Sequence, residues 1–108
     1  MNYSSNLKII VYVPVDEADN LRDAMHKAGA GNIGDYSHCS WSARGKGRFK
    51  PGKDADPTIG EVGKPEIVDE ERVEMLCPRE KLDHVIKVMK RTHSYEEVAY
   101  DVFERVDV

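Results

Sequence analysis

The order of apolar and polar positions divides the chain into seven segments. Residues 7–13, LKIIVYV, are a β-branched run closed by Pro14, and a run this apolar predicts a strand covered on at least one face. The period then changes. Leu21, Ala24, Met25 and Ala28 recur at helical spacing and Gly29 follows as a stop, so a helix comes after the strand. Ile33, Tyr36 and Trp41 are spread among glycine and small polar residues, which predicts an irregular or bulged strand over 33–42. Residues 43–63, ARGKGRFKPGKDADPTIGEVG, hold five of the eight glycines and two of the five prolines. They are expected to form a long excursion with little regular structure, either functional or packed as a connector through Phe49 and Ile59. Ile67, Val73 and Met75 alternate with charges up to Pro78, the mark of a half-solvated strand. Leu82, Val85, Ile86 and Met89 then stand at i, i+3, i+4 and i+7 with Lys87, Lys90 and Arg91 towards the end, which predicts an amphipathic helix. Residues 96–106, EEVAYDVFERV, alternate again and give a last strand.

Strand, helix, strand, strand, helix, strand is the split βαβ order of the ferredoxin-like fold. The expectation is an α+β, βαββαβ sandwich: one domain over residues 1–108, with a four-stranded antiparallel sheet and two helices on one face. The other face is bare unless the long excursion or a second subunit covers it, so a homo-oligomer, trimer or dimer, is expected.

Composition narrows the partners. Sixteen Lys and Arg against 20 Asp and Glu leave a formal charge of -4, and a net field of that sign recommends neither nucleic acid nor an anionic membrane. No apolar run approaches the ~20 residues that cross a bilayer. The N-terminal residues show no basic leader with a cleavable apolar segment, so a cytoplasmic location is expected. Cys39 and Cys77 lie outside any CxxC spacing, which in a reducing compartment predicts free thiols.

The segments GAGNIGDYSHCSW, GKGRFKP, PTIGEVGKPE, EERVEMLCP and HSYEEVAYDV, in that order, resemble the CutA- or PII-like domain inserted in long members of the Nif-three-like family. They resemble still more the short YqfO-type proteins made of that domain alone. The likeness runs over residues 7–106. It implies a ferredoxin-like fold related to trimeric PII signalling proteins and to CutA. The dinuclear metal site of the long members belongs to a flanking domain, so the resemblance carries over no metal ligand. Ser94 stands where the family usually has the proline of His-Pro-Tyr-Glu-Glu, and Val98 where a second proline is common; these departures are expected to loosen the turn into the last strand.

The densest group of recognition-capable side chains lies among the glycines of residues 29–51. Glycine serves where φ must be positive or where backbone approaches something closely. The ligand-binding candidates are therefore Gly31, Tyr36, His38, Ser40, Trp41, Gly45 and Gly47. His38 and Cys39 would point to opposite faces of a regular strand, and Cys39 is expected to be a buried thiol. Arg44, Lys46, Arg48, Lys50 and Lys53 alternate with glycine and suit an anion-holding loop, although no phosphate-loop motif is present. His38, His93, Glu96 and Glu97 have the composition of a divalent-metal site. Against that, His93 also suits a helix C-terminus.

These readings favour a small oligomeric, non-catalytic module that binds a ligand or a protein partner. The alternative is a divalent-metal-binding protein or metal-dependent hydrolase that uses His38, His93, Glu96 and Glu97.

Overall fold

The computed structural model describes residues 2–108. In chain order the strands are β1 (Asn2–Tyr3), β2 (Asn6–Pro14), β3 (Trp41–Phe49), β4 (Glu66–Pro78), β5 (Tyr100–Phe103) and β6 (Val106–Asp107), and the helices are α1 (Ala18–Ala28) and α2 (Leu82–Thr92). β2 and β4 each end on a proline, Pro14 and Pro78, followed by one turn of 3₁₀ helix that leads into α1 or α2. The two halves thus repeat one local design, in which a residue with fixed φ turns the chain from extended to helical.

The main sheet has the order β3-β4-β2-β5 and is antiparallel throughout, the ferredoxin-like arrangement expected. Ile9, Val11 and Val13 of β2 and Val73, Met75 and Cys77 of β4 point to the helix side, where they meet Leu21 and Met25 of α1 and Val85 and Met89 of α2. Each such side chain removed from water contributes about 1.5–3 kcal/mol, which sets the register of β2 on β4, since a slip of one residue would turn the apolar set to solvent.

Two segments differ from expectation. Residues 33–40 do not form a strand: Ile33 and Tyr36 make one isolated bridge and His38 has φ 58°. The glycine-rich, basic stretch expected to be irregular is instead β3, paired with β4 from Trp41↔Glu74 to Phe49↔Glu66. Side-chain periodicity did not reveal β3 because it is an edge strand with most residues exposed; its backbone ladder to β4 holds it. β2 pairs with β4 only as far as Glu70. The β3–β4 ribbon therefore runs on past the four-stranded part, in a molecule of 47 × 27 × 23 Å. The last strand is also divided, since β5 joins the main sheet while β6 pairs with β1.

Candidate functional site

Strand alternation sorts the ribbon. Register puts Gly45, Gly47 and Phe49 of β3 on the same side as Glu66, Val68 and Glu70 of β4 and Tyr12 of β2, the side away from the helices. Arg44, Lys46 and Arg48 fall on the opposite side, across from Glu71, Asp69 and Ile67, and Lys46 pairs with Asp69. The first three residues of the basic run thus stand on a strand and not on a loop, while Lys50 and Lys53 follow it.

On the open side lies a groove of about 590 Å³, floored by Tyr12, Phe49 and Tyr95, with Gly47, Glu70, Glu96, Glu97, Pro51 and Ile59 among its walls. The loop 50–65 makes one wall and is fastened to the chain after α2. The Asp56 amide donates to Glu96 Oε2 at 2.8 Å and the Thr58 hydroxyl donates to the Ser94 carbonyl at 2.6 Å. Tyr95 meets Phe49 edge to face, 6.1 Å between ring centres. Its hydroxyl donates to Glu70 Oε2 at 3.0 Å. Burial, and then the bond to the Glu70 carboxylate, push the Tyr95 phenol well above its ordinary range, so it stays a neutral donor. The Glu70 carboxylate lies against Gly47, where a Cβ would stand 2.0 Å from Oε1. That contact, rather than a need for positive φ, is what glycine serves at this position.

His93 is buried beneath the site. Its Nε2 lies 2.7 Å from the Tyr12 carbonyl and its Nδ1 3.1 Å from the Tyr95 amide. A carbonyl only accepts and an amide only donates, so the bonding assigns the proton to Nε2. Both ring nitrogens are engaged. Ser94 keeps this turn ordered without the family's proline, since its amide and hydroxyl both donate to Glu17, at 3.2 and 2.7 Å.

Of the ligand-binding candidates, Gly47 lines the groove and Gly45 lines an adjoining smaller hollow with Tyr12, Glu70 and Arg72. Gly31, Tyr36, His38, Ser40 and Trp41 lie outside both. Gly31 is buried at φ 83°, its amide bonded to the Leu76 carbonyl and its own carbonyl receiving the Cys39 amide. His38 packs against His26 near the end of α1, with 4.9 Å between ring centres and the rings tilted by 52°. Tyr36 is 76% and Trp41 60% exposed, and Ser40 is exposed.

The metal set does not assemble. Glu96 and Glu97 line the groove, the nitrogens of His93 are taken by backbone, and His38 sits beside His26. Among the described residues no three His, Cys, Asp or Glu are grouped to hold a metal ion. Cys39 is only half-buried, whereas Cys77 is fully buried, and both are free. Burial pushes the Cys77 thiol up to about 11. Among the described residues no helix is long and apolar enough to cross a membrane. Sequence reasoning missed Tyr12, Glu70 and Tyr95 as site residues because each comes from a different segment; Tyr95 stood inside the HSYEE motif, the one signal that pointed to it.

The fold defines a CutA-like ferredoxin-type domain. It superposes on the periplasmic divalent cation tolerance protein CutA from Archaeoglobus fulgidus with a TM-score of 0.64 at 19% identity, covering 91% of this chain and 81% of that one. The sequence places it more narrowly: the chain is a homologue of a domain-sized part of the Nif-three-like proteins. It is 49% identical over 96 residues to the GTP cyclohydrolase 1 type 2 homolog of Bacillus subtilis (strain 168), 89% of this chain and 26% of the relative. It is 41% identical, with a TM-score of 0.80, to a Bacillus cereus protein related to NIF3, covering 99% of this chain and 27% of that one. The chain thus spans about a quarter of the length of the curated relatives it matches. No family model matches it.

Proposed function

We propose that the chain is a cytoplasmic, non-catalytic regulatory module, homo-oligomeric, that binds a small ligand in the groove over Tyr12, Phe49 and Tyr95. The observation that carries this reading is the division of the open sheet face into two ends. One end is the aromatic-floored groove, whose volume of about 590 Å³ falls within the ~300–1,000 Å³ of small-molecule sites. The other end carries Trp41, 60% exposed, and Phe103, 49% exposed, which register places on the same side as the groove. These exposed apolar side chains, on the two edge strands of one open face, support a subunit contact there. The exposed loop of Tyr36, His38 and Ser40 leads directly into Trp41, so these candidates belong to the subunit-facing part of the proposal. Binding is favoured over acid–base chemistry because His93, beside the groove, has both nitrogens engaged. The free thiols support a reducing compartment.

Light-scattering mass measurement tests the assembly. A multiple of the 12.2 kDa chain mass is expected for the wild type and the single-chain mass for Trp41→Glu. A monomeric wild type overturns the oligomer. Thermal shift against a panel of small metabolites tests the ligand site, with stabilisation of the wild type expected and lost in Phe49→Ala.

A further inference from the structure

We infer that the groove takes an organic cation, a primary amine, quaternary ammonium or guanidinium on a short hydrocarbon body; this rests on reading the groove as a ligand site. Three features of the ribbon give it that charge preference. First, alternation turns Arg44, Lys46 and Arg48 to the far side, where Lys46 pairs with Asp69. Arg72, on the groove side but nearer the centre of the sheet, is held by Glu74 at 3.2 Å. Lys46 and Arg48 border the groove from β3, whose alternation turns their charged ends to the other face, and Lys50 borders it just past the end of that strand.

Second, Glu70, Glu96 and Glu97 all line the groove, and among the described residues none of them is within salt-bridge reach of a Lys or Arg. Glu70 accepts one bond, from the Tyr95 hydroxyl to Oε2. An ionised carboxylate has about four acceptor positions, so most of its capacity is free to meet a donor in the groove. Third, the carboxylates stand over aromatic side chains, Tyr12, Phe49 and Tyr95, and an aromatic face attracts a cation through its quadrupole while repelling an anion. A charged headgroup would meet Glu70, and its hydrocarbon body would lie on Phe49 and Tyr95. An anion at the same place would face three carboxylates, a repulsion of the kind that sets specificity.

Titration calorimetry of the full chain decides the matter with agmatine and choline as cationic probes and ATP and inorganic phosphate as anionic ones. The expected result is saturable binding of at least one cation, weakened by added salt and weakened about ten-fold or more by Glu70→Gln, with neither anion bound. Glu70→Gln keeps an oxygen to accept from Tyr95. Should it still unfold, Glu97→Gln, an exposed residue, carries the comparison with a loss of a few-fold. Cation binding unchanged by both substitutions overturns the inference. An anion that binds the wild type but not Phe49→Ala overturns the charge assignment alone and leaves the ligand site standing. No binding by any of the four probes overturns the cation assignment, while stabilisation by a neutral metabolite, lost in Phe49→Ala, would still uphold the site.

Discussion

His93 donates from Nε2 to the Tyr12 carbonyl at 2.7 Å. One imidazole, fixed at the end of α2, thereby ties the central strand to the turn that carries Tyr95 into the groove, since its Nδ1 accepts the Tyr95 amide. His93→Ala leaves a buried carbonyl and an amide without partners and opens a cavity. Each orphaned group is worth about 1–3 kcal/mol, so a loss of about 2–4 kcal/mol is expected in urea denaturation, scaled down if water enters. A metal role predicts something different, namely a fall in thermal midpoint when wild-type protein is treated with a chelator. The midpoint is expected to stay where it was.

Two glycines separate conformational need from spatial need. At Gly31, φ is 83° and a Cβ would stand 2.8 Å from the Cys39 carbonyl oxygen as well as 2.4 Å from His26 Nδ1, so both the backbone and a fixed neighbour resist a side chain. Gly31→Ala should destabilise by about 1–3 kcal/mol. At Gly47 the obstruction is the Glu70 carboxylate, the free end of a flexible side chain. Gly47→Ala should therefore leave the thermal midpoint within a few degrees while moving Glu70 off the Tyr95 hydroxyl. A tyrosine absorbance titration reads that change: the Tyr95 phenol, held high by burial and by Glu70, should ionise at lower pH in the variant.

The contrast between these glycines explains what was legible in the sequence. Helix α2 and strand β2 were readable because Leu82, Val85, Ile86 and Met89, or the run at 7–13, carry burial in their own spacing. β3 was not, because glycine takes two of the five positions on the face of WSARGKGRF that carries Trp41, Ala43 and Phe49; it is a strand through its pairing with β4, from Trp41↔Glu74 to Phe49↔Glu66. Gly47 could be singled out as a glycine but not for its reason, since nothing local says that the carboxylate of Glu70 crosses it. The groove was least legible of all. Tyr12, Phe49, Glu70 and Tyr95 meet only after β2, β3, β4 and the turn after α2 have packed.

The ion pairs differ in what they contribute. Arg22 Nη1 lies 2.6 Å from Glu71 Oε1, with the two side chains 19% and 11% exposed, and Glu71 sits on the helix side of β4 where water is scarce. Arg22→Ala strands that carboxylate and should destabilise by about 1–3 kcal/mol, below the full buried-pair figure because some water remains. Lys27 and Asp23, 2.9 Å apart on the surface of α1 with side chains 74% and 51% exposed, should show no measurable coupling in a double-mutant cycle. Equal losses from Arg22→Ala and Lys27→Ala would contradict this account.

The stability of the fold at alkaline pH should depend on Cys77. Its thiol is packed in the core, its Sγ donating to the Pro78 carbonyl at 3.4 Å, and burial raises it from an ordinary 9.0 to about 11. Between those values the unfolded chain loses the proton while the folded chain keeps it. Unfolding then releases a proton, and stability falls as pH rises. The contribution is intact below pH 9 and is lost by about pH 11, a difference of about 2–3 kcal/mol at 1.36 kcal/mol per unit. The Tyr95 phenol, also raised, acts in the same direction starting at higher pH, nearer its ordinary 10. Denaturation midpoints of the wild type, Cys77→Ala and Tyr95→Phe across pH 8–11 separate the two, with the Cys77→Ala curve flatter between 9 and 10. Thiol titration at pH 8 supplies the second readout: the half-exposed Cys39 should react in the native protein and Cys77 only after unfolding. Two fast-reacting thiols in the native protein would show that the sulfur of Cys77 is not sealed in the core, and the alkaline dependence assigned to it would go with that seal.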